Sequence, residues 1–153
     1  MDTRVKKWSL VLCLTSCVAV SGQPWGKASS QEVVARVDHC TSAQSPAGVV
    51  AREVIAFNHH DSATFASTFA PDARVYEYPD KLILRGRDAI LRKYGAALRD
   101  PRLTVQILKR MVTGVHVVDE ERIVMGELKT VTRQGIVIYT IEAGCISRMD
   151  LMH

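Results

Sequence analysis

No apolar run in this chain reaches the roughly 20 residues that a membrane-spanning helix requires; the stretch at residues 8–14 is much shorter. Also missing are a Gly-rich phosphate loop, a nucleophile elbow, a C-x-x-C pair and an H-E-x-x-H helix, so no cofactor is expected. The net charge is only +4 and the basic residues are scattered, which argues against a nucleic-acid partner. No internal repeat is visible. The His59-His60-Asp61 triplet looks like a metal cluster at first, but adjacent helical residues diverge by about 100° and cannot easily share one ion. No metal site is expected, and Asp61 reads as a helix cap.

Cysteine is sparse too, with 4 in 153 residues, and two of them fall in an N-terminal export signal. Arg4, Lys6 and Lys7 form a positive region, residues 8–14 an apolar one, and small residues follow. Within it, Leu14-Thr15-Ser16-Cys17 resembles a bacterial lipobox, which implies lipid attachment at Cys17 and cleavage just before it. An ordinary secretory peptide cut after Gly22 is the alternative. Either way the protein is expected to be exported, periplasmic or membrane-anchored as a lipoprotein, with membrane contact only through the lipid. Residues 1–16 are thus the signal, 17–44 a Gly/Ser/Pro-containing linker, and 45–153 one domain. Cys40 and Cys145 remain; in an oxidising compartment they can pair or stay as thiols.

Helices come first along the domain. Pro46-Ala47 can open one with Val50, Val54 and Phe57 on one face, ending near Asn58, and Asp61 caps a short second helix that closes with Phe65 and Phe69. Pro71-Asp72 breaks it, residues 74–78 alternate as a strand, and Arg85-Gly86 opens a helix over 87–98 with Ile90, Leu91, Tyr94, Ala97 and Leu98 at helical spacing. Five β-branched runs follow, at 103–112, 115–118, 123–131, 136–141 and 146–151. The polar groups 113–114, 119–121, 133–135 and 143–144 read as the turns between them. Helices followed by antiparallel strands make an α+β domain.

The order F-x-x-x-F-A-P-D-A, strand, R-G-R-D-A-I, helix resembles the nuclear transport factor 2-like superfamily, and within it the SnoaL-like and ketosteroid isomerase-like proteins. The resemblance covers about two thirds of the chain. It implies N-terminal helices packed on a strongly curved, mostly antiparallel sheet that forms a cone-shaped pocket for a small apolar or polycyclic molecule. Glu77 lies where ketosteroid isomerases place an aspartate base, and Tyr94 falls near a tyrosine that extends their hydrogen-bond network. The family's oxyanion donors, a first-helix tyrosine and a late-strand protonated aspartate, correspond to Glu53 and Ile136. Neither supplies that donor in the family's manner, so steroid isomerase activity is not expected.

Four side chains are therefore candidates. Val75 and Glu77 share one strand face, which would put Glu77 in the cavity as a base with its proton affinity raised by burial. Its bland counterpart is a surface carboxylate between tyrosines. Arg110 alternates with Leu108 and Val112, so it can point inward to pair with Glu77 and touch ligand, or outward to solvent. His116 is a second candidate base, and Tyr94 a ligand-binding residue or simply core. Two functions stand side by side: a non-catalytic module binding a small apolar or amphipathic molecule, and an isomerase, lyase or hydrolase using Glu77. A homodimer across the sheet is expected, because Val105, Ile107, Val117, Val124, Val137 and Tyr139 offer more apolar surface than one short helical layer covers.

Overall fold

The computed structural model describes Cys40 and residues 44–153. Cys17, the signal and most of the linker lie outside the described residues. Helix α1 spans Pro46–Asn58; Ser45 caps it, its hydroxyl accepting from the Gly48 amide at 3.2 Å, and Pro46 occupies the first turn where no amide is needed. One face of α1 buries Val49, Val50, Val54, Ala56 and Phe57, together with the carboxyl-bearing Glu53. Asp61 caps α2 (Ser62–Ser67), accepting from the Thr64 amide at 3.0 Å. Helix α3 (Arg87–Tyr94) starts after Gly86, whose φ of 87° is one that glycine reaches without a Cβ clash. It is shorter than the predicted 87–98: α3 ends at Tyr94, and a separate 3₁₀ turn, Ala97–Arg99, carries Leu98 into the core.

Six strands form one sheet: β1 (Phe69–Glu77), β2 (Lys81–Arg85), β3 (Leu103–Thr113), β4 (His116–Met125), β5 (Thr130–Glu142) and β6 (Cys145–Met152). Their order is β2-β1-β6-β5-β4-β3, antiparallel throughout except for the parallel pair β1 and β6. β1 begins before Pro71, where a break was expected. The β1–β6 register shifts between Phe69 and Arg74, so the proline falls in an irregular stretch that needs no ladder donor.

The larger corrections concern β4 and β5. Asp119-Glu120-Glu121 and Arg133-Gln134-Gly135, predicted as turns, lie inside these two long strands, where Glu121 is the register partner of Gly135. The connection between the strands instead runs through Gly126 at φ 70° and Lys129 at φ 51°. Gly135 has a packing reason to lack a side chain, because a Cβ there would run into the Met152 carbonyl of the neighbouring strand.

The core lies between the helices and the inner sheet face. Phe65 is its aromatic centre, with ring centroids 6.1 Å from Phe57, 5.2 Å from Phe69 and 5.7 Å from Tyr94. Of the six residues named for a dimer face, Val117, Val124, Val137 and Tyr139 are buried within the single chain and offer no surface to a partner, while Val105 and Ile107 are half-buried. Cys40 and Cys145 form a disulfide with Cα atoms 5.2 Å apart, fastening the chain ahead of α1 to the start of β6.

That bridge closes a long loop, and removing such a link typically costs about 2–5 kcal/mol. Cys145→Ser is therefore expected to lower the melting temperature, and to abolish the further drop that reductant causes in the wild type. Thermal unfolding with and without reductant checks this; unchanged melting would contradict it.

Candidate functional site

The end of α1 is tied to the sheet by one side chain. Asn58 donates through Nδ2 to the Val105 carbonyl at 2.9 Å and accepts the Val105 amide at 2.7 Å, imitating a strand partner for β3. This lock sets α1 over the concave sheet face and aims Glu53 at it. On β4, residues alternate: Glu120 and Arg122 point outward, meeting Gln134 at 3.3 Å and Gln106 at 2.8 Å, while Asp119 and Glu121 point inward. From β5 comes Tyr139, and from α3 comes Tyr94.

Together they enclose a cavity of about 200 Å³, bounded by Glu53, Glu121, Tyr94 and Tyr139 and by apolar side chains that include Phe57, Val105, Val137 and Met149. That exceeds the roughly 150 Å³ that admits benzene into a protein interior. A second pocket of about 250 Å³ adjoins it at the mouth, where Tyr94, Arg133 and Leu151 line both.

Charge in this interior is uneven. Asp119 is fully buried and is held by Arg110 in a forked ion pair at 2.7 and 2.5 Å. Arg110 makes its third contact, at 3.5 Å, with the Ala47 carbonyl. Glu53 has no such partner: burial first, then the nearby charges of Glu121 and Asp119, raise its pKa to about 8, opposed by Arg110 and a hydrogen bond with Tyr139. Glu121 is raised to about 7, mainly by burial and then by Asp119. The hydroxyls of Tyr94 and Tyr139 are pushed upward by the same burial and stay protonated donors. Near neutral pH the two glutamates hold roughly one proton between them, so a neutral carboxylic acid and a carboxylate face the same space.

The predicted residues are distributed differently. Glu77 does share the face of buried Val75, but it stands one step further out, at the mouth, with its side chain 48% exposed. Lys81 binds it at 2.8 Å and, by that hydrogen bond and its charge, holds the carboxyl below its usual range, the reverse of the shift a buried base needs. Arg110 points inward yet pairs with Asp119, not Glu77. His116 is exposed where β4 begins, with Nδ1 3.2 Å from the Thr140 hydroxyl, and does not border the cavity. Tyr94 alone of the four lines it. Among the described residues no cluster of His, Cys, Asp or Glu could hold a metal ion.

Glu53 and Glu121 are the residues the sequence reading missed as proton carriers. Glu53 was judged only as a replacement for tyrosine, although a carboxyl with a raised pKa is itself a donor. Glu121 was hidden by reading its polar triplet as a turn; the alternation Val117, Asp119, Glu121, Ile123 was the available signal.

The fold recurs in solved structures. A candidate polyketide cyclase from Sinorhizobium meliloti is 25% identical, with 68% of this chain and 93% of that one covered and a TM-score of 0.57. A candidate ketosteroid isomerase from Kribbella flavida is 20% identical, over 69% of this chain and 75% of that one, with a TM-score of 0.54. SalBIII, an epoxide hydrolase/cyclase-like enzyme in pyran ring formation in the polyether salinomycin, is 16% identical, over 70% and 88%, with a TM-score of 0.60. No curated protein sequence matches the chain. The profile of the SnoaL-like domain matches residues 50–149, across both the helical layer and the sheet. With that match over most of the chain, it belongs to the SnoaL-like domain family of the nuclear transport factor 2-like superfamily.

Proposed function

We propose that the cavity binds a small, largely apolar molecule bearing a carbonyl or ether oxygen, and that the chain moves a proton on it. The Glu53–Glu121 pair carries this reading: two carboxyls of elevated pKa border one enclosed, mostly apolar space. Glu121, the more acidic, is the base that takes a proton from carbon or from water. Glu53, neutral at pH 7, donates to the oxygen on which negative charge develops, the part a tyrosine plays in related isomerases. Tyr139 and Tyr94 supply further donors on the cavity wall. The cyclase and isomerase descriptions of the structural neighbours agree with such acid–base work on small ring compounds. A binder without catalysis needs only the cavity and gains nothing from a coupled pair of buried acids, whose burial is costly.

Cyclohexanone in deuterium oxide tests this, because exchange of its α-hydrogens needs a base at carbon and a donor at oxygen. Exchange followed by NMR is expected to rise as pH passes about 7 and to fall above about 8, the two limits belonging to the pair. Glu121→Gln should slow exchange by at least roughly 10²-fold, and Glu53→Leu by a similar factor through loss of the donor. Exchange at the uncatalysed rate, with cyclohexanone still bound, would leave a binder.

Stability carries the same signature. The folded-state pKa of Glu53 lies far above the ordinary 4.5, so the native state keeps a proton that the unfolded chain releases. Its contribution is complete below about pH 4.5 and is lost as pH rises towards 8, at about 1.4 kcal/mol per pH unit while one proton separates the two states. Urea midpoints should fall between pH 5 and 8 in the wild type and fall less steeply in Glu53→Gln, where Glu121 alone of the two keeps a raised pKa. An equal slope in both would contradict the assignment.

The export reading also stands as part of the proposal, supported by the Cys40–Cys145 disulfide, a bond that persists in oxidising compartments. Radiolabelled palmitate should label the wild type, and Cys17→Ser should lose the label and accumulate as precursor. An exported but unlabelled wild type would leave simple secretion.

A further inference from the structure

Cations gather where the cavity opens. Arg133 on β5 borders both the inner cavity and the mouth, and Lys93 on α3 and His153 after β6 border the mouth beside it. Arg133 Nη2 lies 2.8 Å from His153 Nδ1, so the guanidinium donates to the ring and keeps its other donors for the opening. Among the described residues no carboxylate stands within ion-pairing distance of Arg133 or Lys93. Glu77, the acid bordering the mouth, is already bound by Lys81 at 2.8 Å. The interior has the opposite character: Glu53 is buried and Glu121 half-buried amid apolar walls, and an anion pushed down to them would meet like charge with little solvent screening. Apolar below and cationic above, this space fits only one orientation of a charged amphipathic molecule.

Resting on the reading of the cavity as the ligand site, we propose that its ligand is an amphipathic carboxylic acid. The apolar body lies in the cavity with its reacting carbons beside Glu53 and Glu121, and the carboxylate is gripped at the mouth by Arg133, with Lys93 next to it. Arg133 suits this task because its planar fork matches a carboxylate with two parallel hydrogen bonds. The grip also fixes depth: the head group stops at the mouth, so the distance from the carboxylate to the reacting carbon becomes a selection criterion.

Octanoate and 1-octanol share a chain and differ in head group, so titration calorimetry at pH 7.5 and low salt with both probes tests the proposal. The wild type is expected to bind octanoate about tenfold more tightly than octanol, with the advantage shrinking as salt is added. Arg133→Gln should remove the difference by weakening octanoate far more than octanol. Lys93→Gln should reduce it in part. Equal wild-type affinity for the two probes would overturn the carboxylate proposal and leave the pocket intact, and so would an Arg133→Gln variant that weakens both equally. If neither probe binds but cyclohexanone exchange persists, only the head-group proposal falls; if exchange is absent as well, the cavity reading falls with it.

Discussion

One guanidinium serves three inward-facing acids. Arg110 reaches the interior from β3 and gives both arms of its fork to Asp119, the acid with no exposure to solvent. Without that pairing an ionised Asp119 would sit uncompensated in the core, a state that costs several kcal/mol. The allocation leaves nothing comparable for Glu53 and Glu121, which answer burial by keeping protons longer than an ordinary carboxyl does. Their raised pKa values thus follow in part from where Arg110 is committed.

The architecture around them follows from covering a curved sheet with little helix. Three short helices and one 3₁₀ turn shield the inner face, and the aromatic cluster of Phe57, Phe65, Phe69 and Tyr94 fills the region where they converge. Beyond that cluster the sheet runs on without a helical lid, and the space left is the cavity and its mouth. Tyr94 sits on the boundary, packed against Phe65 on one side and bordering the void on the other. This is why the residue could be read from sequence as core or as ligand contact: it is both.

Much of the fold was legible because its determinants are local. Ser45 with Pro46, Asp61, and Arg85-Gly86 mark helix starts by cap chemistry that depends on a few neighbouring residues, and each helix begins there. The face of Glu77 was legible too, from alternation with Val75. What alternation does not encode is how far along the strand the helical layer extends, and that alone separates buried Val75 from solvent-facing Glu77. The site itself was less legible, since polarity was taken as a sign of turns. Asp119-Glu120-Glu121 and Arg133-Gln134-Gly135 are polar because one sheet face meets water and the other a functional cavity, so the usual contrast between a strand and its loop fails there. The pair of hydrogen bonds between Asn58 and Val105 had no sequence signal at all, because it joins segments brought together only by the tertiary fold.

The parallel contact between β1 and β6 bears on how the chain can be made. Val75, at the heart of the core, has Met149 as its strand neighbour, so one of the first strands synthesised waits for the last. Antiparallel hairpins such as β1–β2, β3–β4 and β4–β5 can form as they emerge, but the β1–β2 hairpin has no sheet to join until β6 arrives between β1 and β5. Such non-local closure is slow relative to hairpin formation. The single sheet is therefore closed only when the last strand is available, and until then the two hairpin units remain apart.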